Sequence, residues 1–279
     1  MALLSQMITL GTERLNEVSG NNSEREALIL LGYVMDRQTS LFQYNLDEEI
    51  STSKQSLFKY VVDKRCQYQP ISQIIGKRYF WNYQFFVTPD VLDPRPDTET
   101  LIEQALIMGP FKRILDLGTG SGCILLSLLG EYPLATGLGV DVSEKALNVA
   151  NKNASLLGIN DRAQFRIGNW CEGLFEKFDL IISNPPYIAE VDMYNLSKEV
   201  LDWEPRIALT PEGDGLSAYK TILTSAGQLM SKDSTIILEI GFDQAESVTA
   251  IAYENNFHTV RIIKDINDKD RALVITRVE

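Results

Sequence analysis

The 279-residue chain is poor in the side chains that most often run chemistry at neutral pH: it has one histidine and three cysteines. Cys66, Cys123 and Cys171 are scattered, odd in number and without C-x-x-C spacing. That pattern excludes a structural zinc site and fits a reducing compartment, the cytoplasm. No metal is expected. His258 opens an apparent strand and reads as a neutral structural residue, so the chemistry has no evident imidazole base. Long apolar runs are missing too, with no window near the roughly 18 residues of a membrane span. The opening MALLSQMITLGTERLNE has no basic leader, and Ser5, Gln6 and Thr9 break its apolar stretch, so it does not read as a signal peptide.

Positive charge is also short, and unevenly so. Residues 1–90 hold 9 Lys+Arg and 10 Asp+Glu, whereas residues 91–279 hold 17 and 28, which is −11 of the net −12. An acidic larger part offers no basic track for a phosphate backbone, so no direct nucleic-acid partner is expected. Solubility explains that charge most simply; a basic protein partner is the functional alternative.

The chain is long enough for a large domain plus a small one. Residues 1–70 read as helices. SEREALILLGYVMD opens with Ser23-x-x-Glu26, the spacing of a capping box. SKQSLFKYVVDKRCQ places Leu57, Tyr60, Val61 and Lys64 on one face and ends before Pro70. Residues 71–95 change to short aromatic segments, expected to form a hairpin and a proline-stiffened linker between two domains. A helix begins near Glu99. From Arg113, over the rest of residues 96–279, short apolar strands alternate with helices, which predicts an α/β fold with a largely parallel sheet covered on both faces. TVRIIKDI and RALVITRV are joined by a loop too short for a crossover, so they form an antiparallel pair. There is no internal repeat or low-complexity tract.

The residues that could bind a ligand stand at strand ends. LDLGTGSGC puts Gly118-Thr119-Gly120-Ser121-Gly122 directly after the first of these strands, where glycines let backbone approach a ligand at a helix N-terminus. Cys123 stands where a dinucleotide fingerprint would need its third small residue, so a nucleoside without a diphosphate is the better ligand. Asp141, 19 residues after Gly122, ends the second strand, and its carboxylate can accept from both hydroxyls of a ribose. After the third strand, Asn169 and Trp170 offer an amide for a purine edge and an indole for its face, although an aromatic there is often simply core.

FDLIISNPPYIAE is the most specific stretch. Its strand stops at Asn184, and Pro185 and Pro186 hold Asn184 and Pro185 extended while donating no N–H. What remains is a pair of acceptors, the Asn184 side-chain oxygen and the Pro185 carbonyl, beside the aromatic face of Tyr187. Two acceptors on a rigid arm suit an NH2 group, so the stretch reads as a clamp for a planar amine or amide.

These motifs resemble the class I S-adenosylmethionine-dependent methyltransferases with an (Asn/Asp)-Pro-Pro-(Tyr/Phe) motif. Over nearly the whole chain the sequence is similar to the protein-(glutamine-N5) methyltransferases of the PrmC/HemK family. PISQIIG, RPDTETLIE, ILDLGTGSG, SNPPYI, EPRIALTPEGDGLSAYKTI, LEIGFDQ and DKDRAL carry the likeness. RPDTE and EPxxAL…DGL discriminate, because NPPY is shared with nucleic-acid enzymes. The resemblance implies a Rossmann-like seven-stranded sheet with a small N-terminal helical substrate-recognition domain. It implies S-adenosyl-L-methionine held by residues 118–122, Asp141, Asn169, Trp170 and Asn184. The glutamine of the Gly-Gly-Gln motif of peptide-chain release factors would be bound at Asn184, Pro185, Pro186 and Tyr187. Asn169 departs from the family's usual aspartate, yet its amide oxygen still accepts. A monomer is expected. Lys64-Arg65 and Lys77-Arg78 are candidate contacts to the protein substrate, with solvated surface the commoner fate of such pairs. The rivals are an adenine-N6 methyltransferase acting on DNA or RNA, which would want a basic groove, and a non-catalytic S-adenosylmethionine sensor, which would not need the clamp.

Overall fold

A computed structural model describes residues 2–276. They fall into two units, one formed by residues up to Gly76 with Ser197–Trp203, the other by Lys77–Leu196 and the chain from Glu204 onward.

In the first unit β1 (Ala2–Leu3) leads into α1 (Leu4–Ser19), followed by α2 (Ser23–Met35), β2 (Glu49–Ile50), α3 (Thr52–Cys66) and α4 (Ile71–Ile75). β1 and β2 pair antiparallel. Leu4, Leu15, Leu30, Leu31, Phe58 and Val61 make the shared core. Several expectations are corrected here. Ser23 and Glu26 form no capping box: Asn22 precedes the helix, and the Glu26 carboxylate is taken by Arg65 and the Ser19 hydroxyl. The buried face of α3 is Phe58, Val61, Val62 and Arg65, with Leu57 and Tyr60 exposed, a register displaced by one residue. Ile71–Ile75 is helical, and Ile71, Ile74 and Ile75 pack on this core, so the unit extends past residue 70. Arg65 is no surface contact. Its guanidinium bridges Glu26 at 2.8 Å and Glu199 at 2.7 Å.

In the second unit a hairpin, β3 (Arg78–Phe80) and β4 (Tyr83–Phe85), precedes α5 (Glu99–Met108). The hairpin is part of the sheet domain's core instead of a bare connector: Phe80 and Phe85 are buried with Leu101 and Leu125. There follow β5 (Arg113–Leu117), α6 (Cys123–Glu131), β6 (Thr136–Asp141), α7 (Glu144–Leu156), β7 (Ala163–Ile167) and β8 (Phe178–Ser183). Helix α8 (Lys198–Trp203) belongs to the first unit, where Trp203 donates its indole N–H to Gln67 O at 3.0 Å. The chain then adds α9 (Arg206–Leu209), α10 (Ser217–Ala226), β9 (Met230–Glu239), α11 (Ala245–Glu254), β10 (Thr259–Lys264) and β11 (Asp270–Thr276). The expected end of the last strand, at 277–278, lies outside the described residues.

The sheet order is β10-β11-β9-β8-β5-β6-β7, parallel except where β11 meets β9 and β10. Side chains alternate between two covered faces, so the central strand β8 and the second half of β9 are largely apolar, whereas the edge strand β7 exposes Gln164 and Arg166. Leu115, Leu117, Ile181, Ile236 and Leu238 face one core with α10 and α11, while Ile114, Leu180, Ile182 and Ile237 face the other with α5 and α6. Strand order reverses between β5 and β8, which is where open α/β sheets place ligands, at the carboxyl ends.

Candidate active site

Register builds the site. Leu117 pairs with Val140 on one side and Ser183 on the other, and Ser183 pairs with Leu238. The next residues, Asp141, Gly118, Asn184 and Glu239, therefore form one row across four adjacent strand ends. β8 stops at Ser183, one residue before the clamp, and the Ser183 hydroxyl donates to Leu117 O at 2.6 Å.

The glycine loop is fixed by its backbone. The N–H groups of Gly118 and Thr119 both donate to Val140 O, at 2.8 and 3.0 Å. A Cβ at Gly118 would lie 3.3 Å from the Trp170 ring, so glycine keeps the space between loop and indole open. Gly122 serves packing: its φ is +78°, and a Cβ there would meet Leu126 at 3.1 Å and Ala150 at 3.2 Å. The Thr119 hydroxyl donates to Asp116 at 2.6 Å. Asp116 is wholly buried, and burial, aided by nearby Asp141, pushes its carboxyl up to about 7 against the Thr119 bond.

These elements enclose one side of a cavity of about 280 Å³. Of the expected site residues, Gly118, Thr119, Gly120, Ser121, Asp141, Asn169, Trp170, Asn184 and Pro186 line it. Gly122, Pro185 and Tyr187 do not. Gly122 sits behind the loop at the helix start, Pro185 is buried, and the Tyr187 hydroxyl is engaged by Glu239 at 3.2 Å. Cys123 is a buried packing residue at the cavity edge, and burial raises its thiol to about 12, which keeps it inert.

Asn184 is anchored on residues to which the sequence reading gave no role. Its Nδ2 donates to Thr98 Oγ1 at 3.1 Å, and Thr98 Oγ1 donates to Glu239 Oε2 at 2.6 Å. Gln244 Nε2 donates to the Tyr187 carbonyl at 2.8 Å. Arg95, also lining the cavity, pairs with buried Glu204. For Glu239 the signal was present in LEIGFDQ, where a carboxylate ends an apolar strand; Thr98, in RPDTE, follows no such run.

The cradle fits S-adenosylmethionine. Its walls are glycine backbone and indole, and it carries a carboxylate, Asp141, whose two oxygens are oriented by the N–H groups of Gly120 and Ser143, each at 2.9 Å, with lone pairs left for hydroxyls.

Known proteins agree. The model of the Methyltransferase small domain matches residues 93–229, and that of the PrmC N-terminal domain matches residues 6–76. A release factor glutamine methyltransferase of Cereibacter sphaeroides is 40% identical over 258 residues, covering 92% of this chain and 92% of that protein. One of Rhodospirillum rubrum is 36% identical over 277 residues, covering 99% and 85%. The solved hMettl16 catalytic domain, in complex with MAT2A 3'UTR hairpin 6, shares the fold, with a TM-score of 0.59 at 17% identity over 70% of this chain and 76% of that one. The chain belongs to the release factor glutamine methyltransferase family.

Proposed function

We propose that this enzyme methylates the side-chain amide nitrogen (N5) of the glutamine in the Gly-Gly-Gln motif of peptide-chain release factors. S-adenosylmethionine is its cofactor; when bound it supplies an electrophilic methyl carbon on a sulfonium, a good leaving group. The observation that carries the reading is Asn184, held by Thr98 beside the glycine-loop cavity.

An amide nitrogen is a weak nucleophile because its lone pair is delocalised into the carbonyl. Asn184 Oδ1 and the Pro185 carbonyl accept its two N–H bonds, aim the nitrogen, and favour the positive charge that develops there. Pro186 walls the amide, and Tyr187, tethered to Glu239, stiffens the loop beside it. Asp141 takes the ribose hydroxyls, Trp170 and Asn169 the adenine, and residues 118–121 the remaining cofactor backbone contacts. No strong base is required, and the proton leaves late to water. The helical N-terminal unit recognises the protein substrate. We also infer a cytoplasmic monomer that takes no nucleic acid directly, in keeping with the net charge of −12. Among the described residues no helix is long and apolar enough to cross a membrane.

The test is methyl transfer from labelled S-adenosylmethionine to a purified release factor, beside its Gly-Gly-Gln→Gly-Gly-Ala form and bare DNA and RNA. Label on the unaltered factor alone is expected. Label on nucleic acid would replace this reading with the adenine-methylating one.

A further inference from the structure

Below Asn184 the hydrogen bonds run in a fixed sense. Thr98 and Glu239 are 3% and 2% exposed, so bulk water does not compete for their bonds. A carboxylate can only accept. It takes the single hydrogen of Thr98 Oγ1 at 2.6 Å and that of the Tyr187 phenol at 3.2 Å. Burial and the neighbouring Glu239 hold the Tyr187 hydroxyl well above its usual pKa, so it stays protonated and donates. With its hydrogen committed, Thr98 Oγ1 has only lone pairs for Asn184. Asn184 must therefore meet it with the NH2 end, as the 3.1 Å contact from Nδ2 shows. The other end, Oδ1, meets no donor among the described residues and stays an acceptor.

We infer that Glu239 is a positioning residue that sets the donor–acceptor sense of the Asn184 side chain and so makes the clamp selective for an NH2 group. The inference rests on the glutamine-amide reading above. Without the carboxylate, Thr98 is free to turn its hydrogen to Asn184 Oδ1. The Asn184 amide then reverses and presents NH2 to the substrate NH2, two donors face to face.

The groups around Glu239 support this role. Tyr219 donates its hydroxyl to the Glu239 backbone carbonyl at 3.0 Å, which fixes the strand end. Arg271, from β11, supplies positive charge and is itself held by Asp265 at 3.1 Å and Asp97 at 3.5 Å. Burial raises the Glu239 carboxyl to about 7; Thr98, Arg271 and Tyr187 oppose that rise, and Asp97 adds to it. Protonation places a hydrogen on one carboxyl oxygen and removes the constraint on Thr98 or Tyr187. The ionised form is the one that orients Asn184.

Glu239→Met, which keeps the length of the side chain and removes its acceptors, tests this. At saturating cofactor and release factor, kcat should fall about 10²-fold, while the Kd of S-adenosylmethionine by calorimetry moves less than about threefold. The pH dependence is the second readout. Wild-type kcat should rise through an apparent pKa near 7, and Glu239→Met should lose that limb even though Asp116 still titrates. Thr98→Val should reproduce the loss of kcat, and Thr98→Ser, which keeps the hydroxyl, should recover most of it. Wild-type kcat and an intact pH limb in Glu239→Met would overturn the inference. If that variant does not fold, Thr98→Val as active as Thr98→Ser would overturn it instead. Wild-type enzyme that labels no release factor would overturn the glutamine reading first. Labelling by wild type with no effect of Glu239→Met would overturn the positioning role alone.

Discussion

Asp141 Oδ2 accepts the N–H of Gly120 at 2.9 Å, so the carboxylate at the end of β6 and the loop at the end of β5 are one unit. The group proposed to take the ribose hydroxyls also shapes the glycine cradle. Asp141→Ala should therefore weaken S-adenosylmethionine binding by about 10- to 100-fold, the value of one or two charge-assisted hydrogen bonds. Turnover at saturating cofactor should change much less. Calorimetric Kd beside kcat checks the split, and an unchanged Kd would remove the ribose role.

Gly120 and Gly122 both have positive φ, but only Gly122 is enclosed. Gly120→Ala faces open space and should cost only backbone strain, about 1 kcal/mol. Gly122→Ala adds a clash with Leu126 and Ala150 and should cost about 2–4 kcal/mol. Urea unfolding of the two variants measures the difference, and equal losses would contradict the packing role.

Two buried carboxyls, Asp116 and Glu239, are raised to about 7 from 3.8 and 4.5. The folded state therefore holds their protons more tightly than the unfolded chain does. Their contribution to stability is complete below about pH 4 and is lost as pH rises through 7, on the order of a few kcal/mol for each group. Asp116→Asn, which cannot ionise, should flatten this part of the fall. Unfolding midpoints at pH 5 and pH 8 test it, and identical slopes for variant and wild type would contradict it.

In the N-terminal unit, Arg65 neutralises Glu26 and Glu199 from a side chain only 7% exposed. Arg65→Ala leaves a carboxylate partly buried without its cation and should destabilise by about 3 kcal/mol. Arg65→Ala beside Lys64→Ala, measured by thermal unfolding, separates this from a general loss of positive charge. Equal effects would show that the Arg65 ion pairs add nothing beyond its charge.

The sheet was legible because β5, β6, β8 and the STIILE half of β9 are short, mostly apolar runs that alternate with helices; the polar first half of β9, residues 230–233, carries no such signal. The glycine loop, Asp141 and Asn184 were legible because each is a polar or conformationally special residue directly after such a run. Glu239 obeys the same rule, but its value lies in register with Asn184 on a neighbouring strand, and register is a tertiary property. Thr98 comes from a turn 86 residues before Asn184, which no local spacing discloses. The α3 face was displaced because its residues are weakly patterned and its buried set includes a charged residue, Arg65. Ser23 and Glu26 kept the spacing of a capping box, but Arg65, 39 residues on from Glu26, took the carboxylate.

In the proposed mechanism Asn184 acts on the amide and only secondarily on the cofactor. The single most direct measurement is the single-turnover rate of methyl transfer by Asn184→Ala, at cofactor and release-factor concentrations that saturate the variant. A fall of about 10²- to 10³-fold, with cofactor Kd changed only a few-fold, is the predicted result. A single-turnover rate near wild type, with the loss confined to cofactor binding, would contradict the clamp.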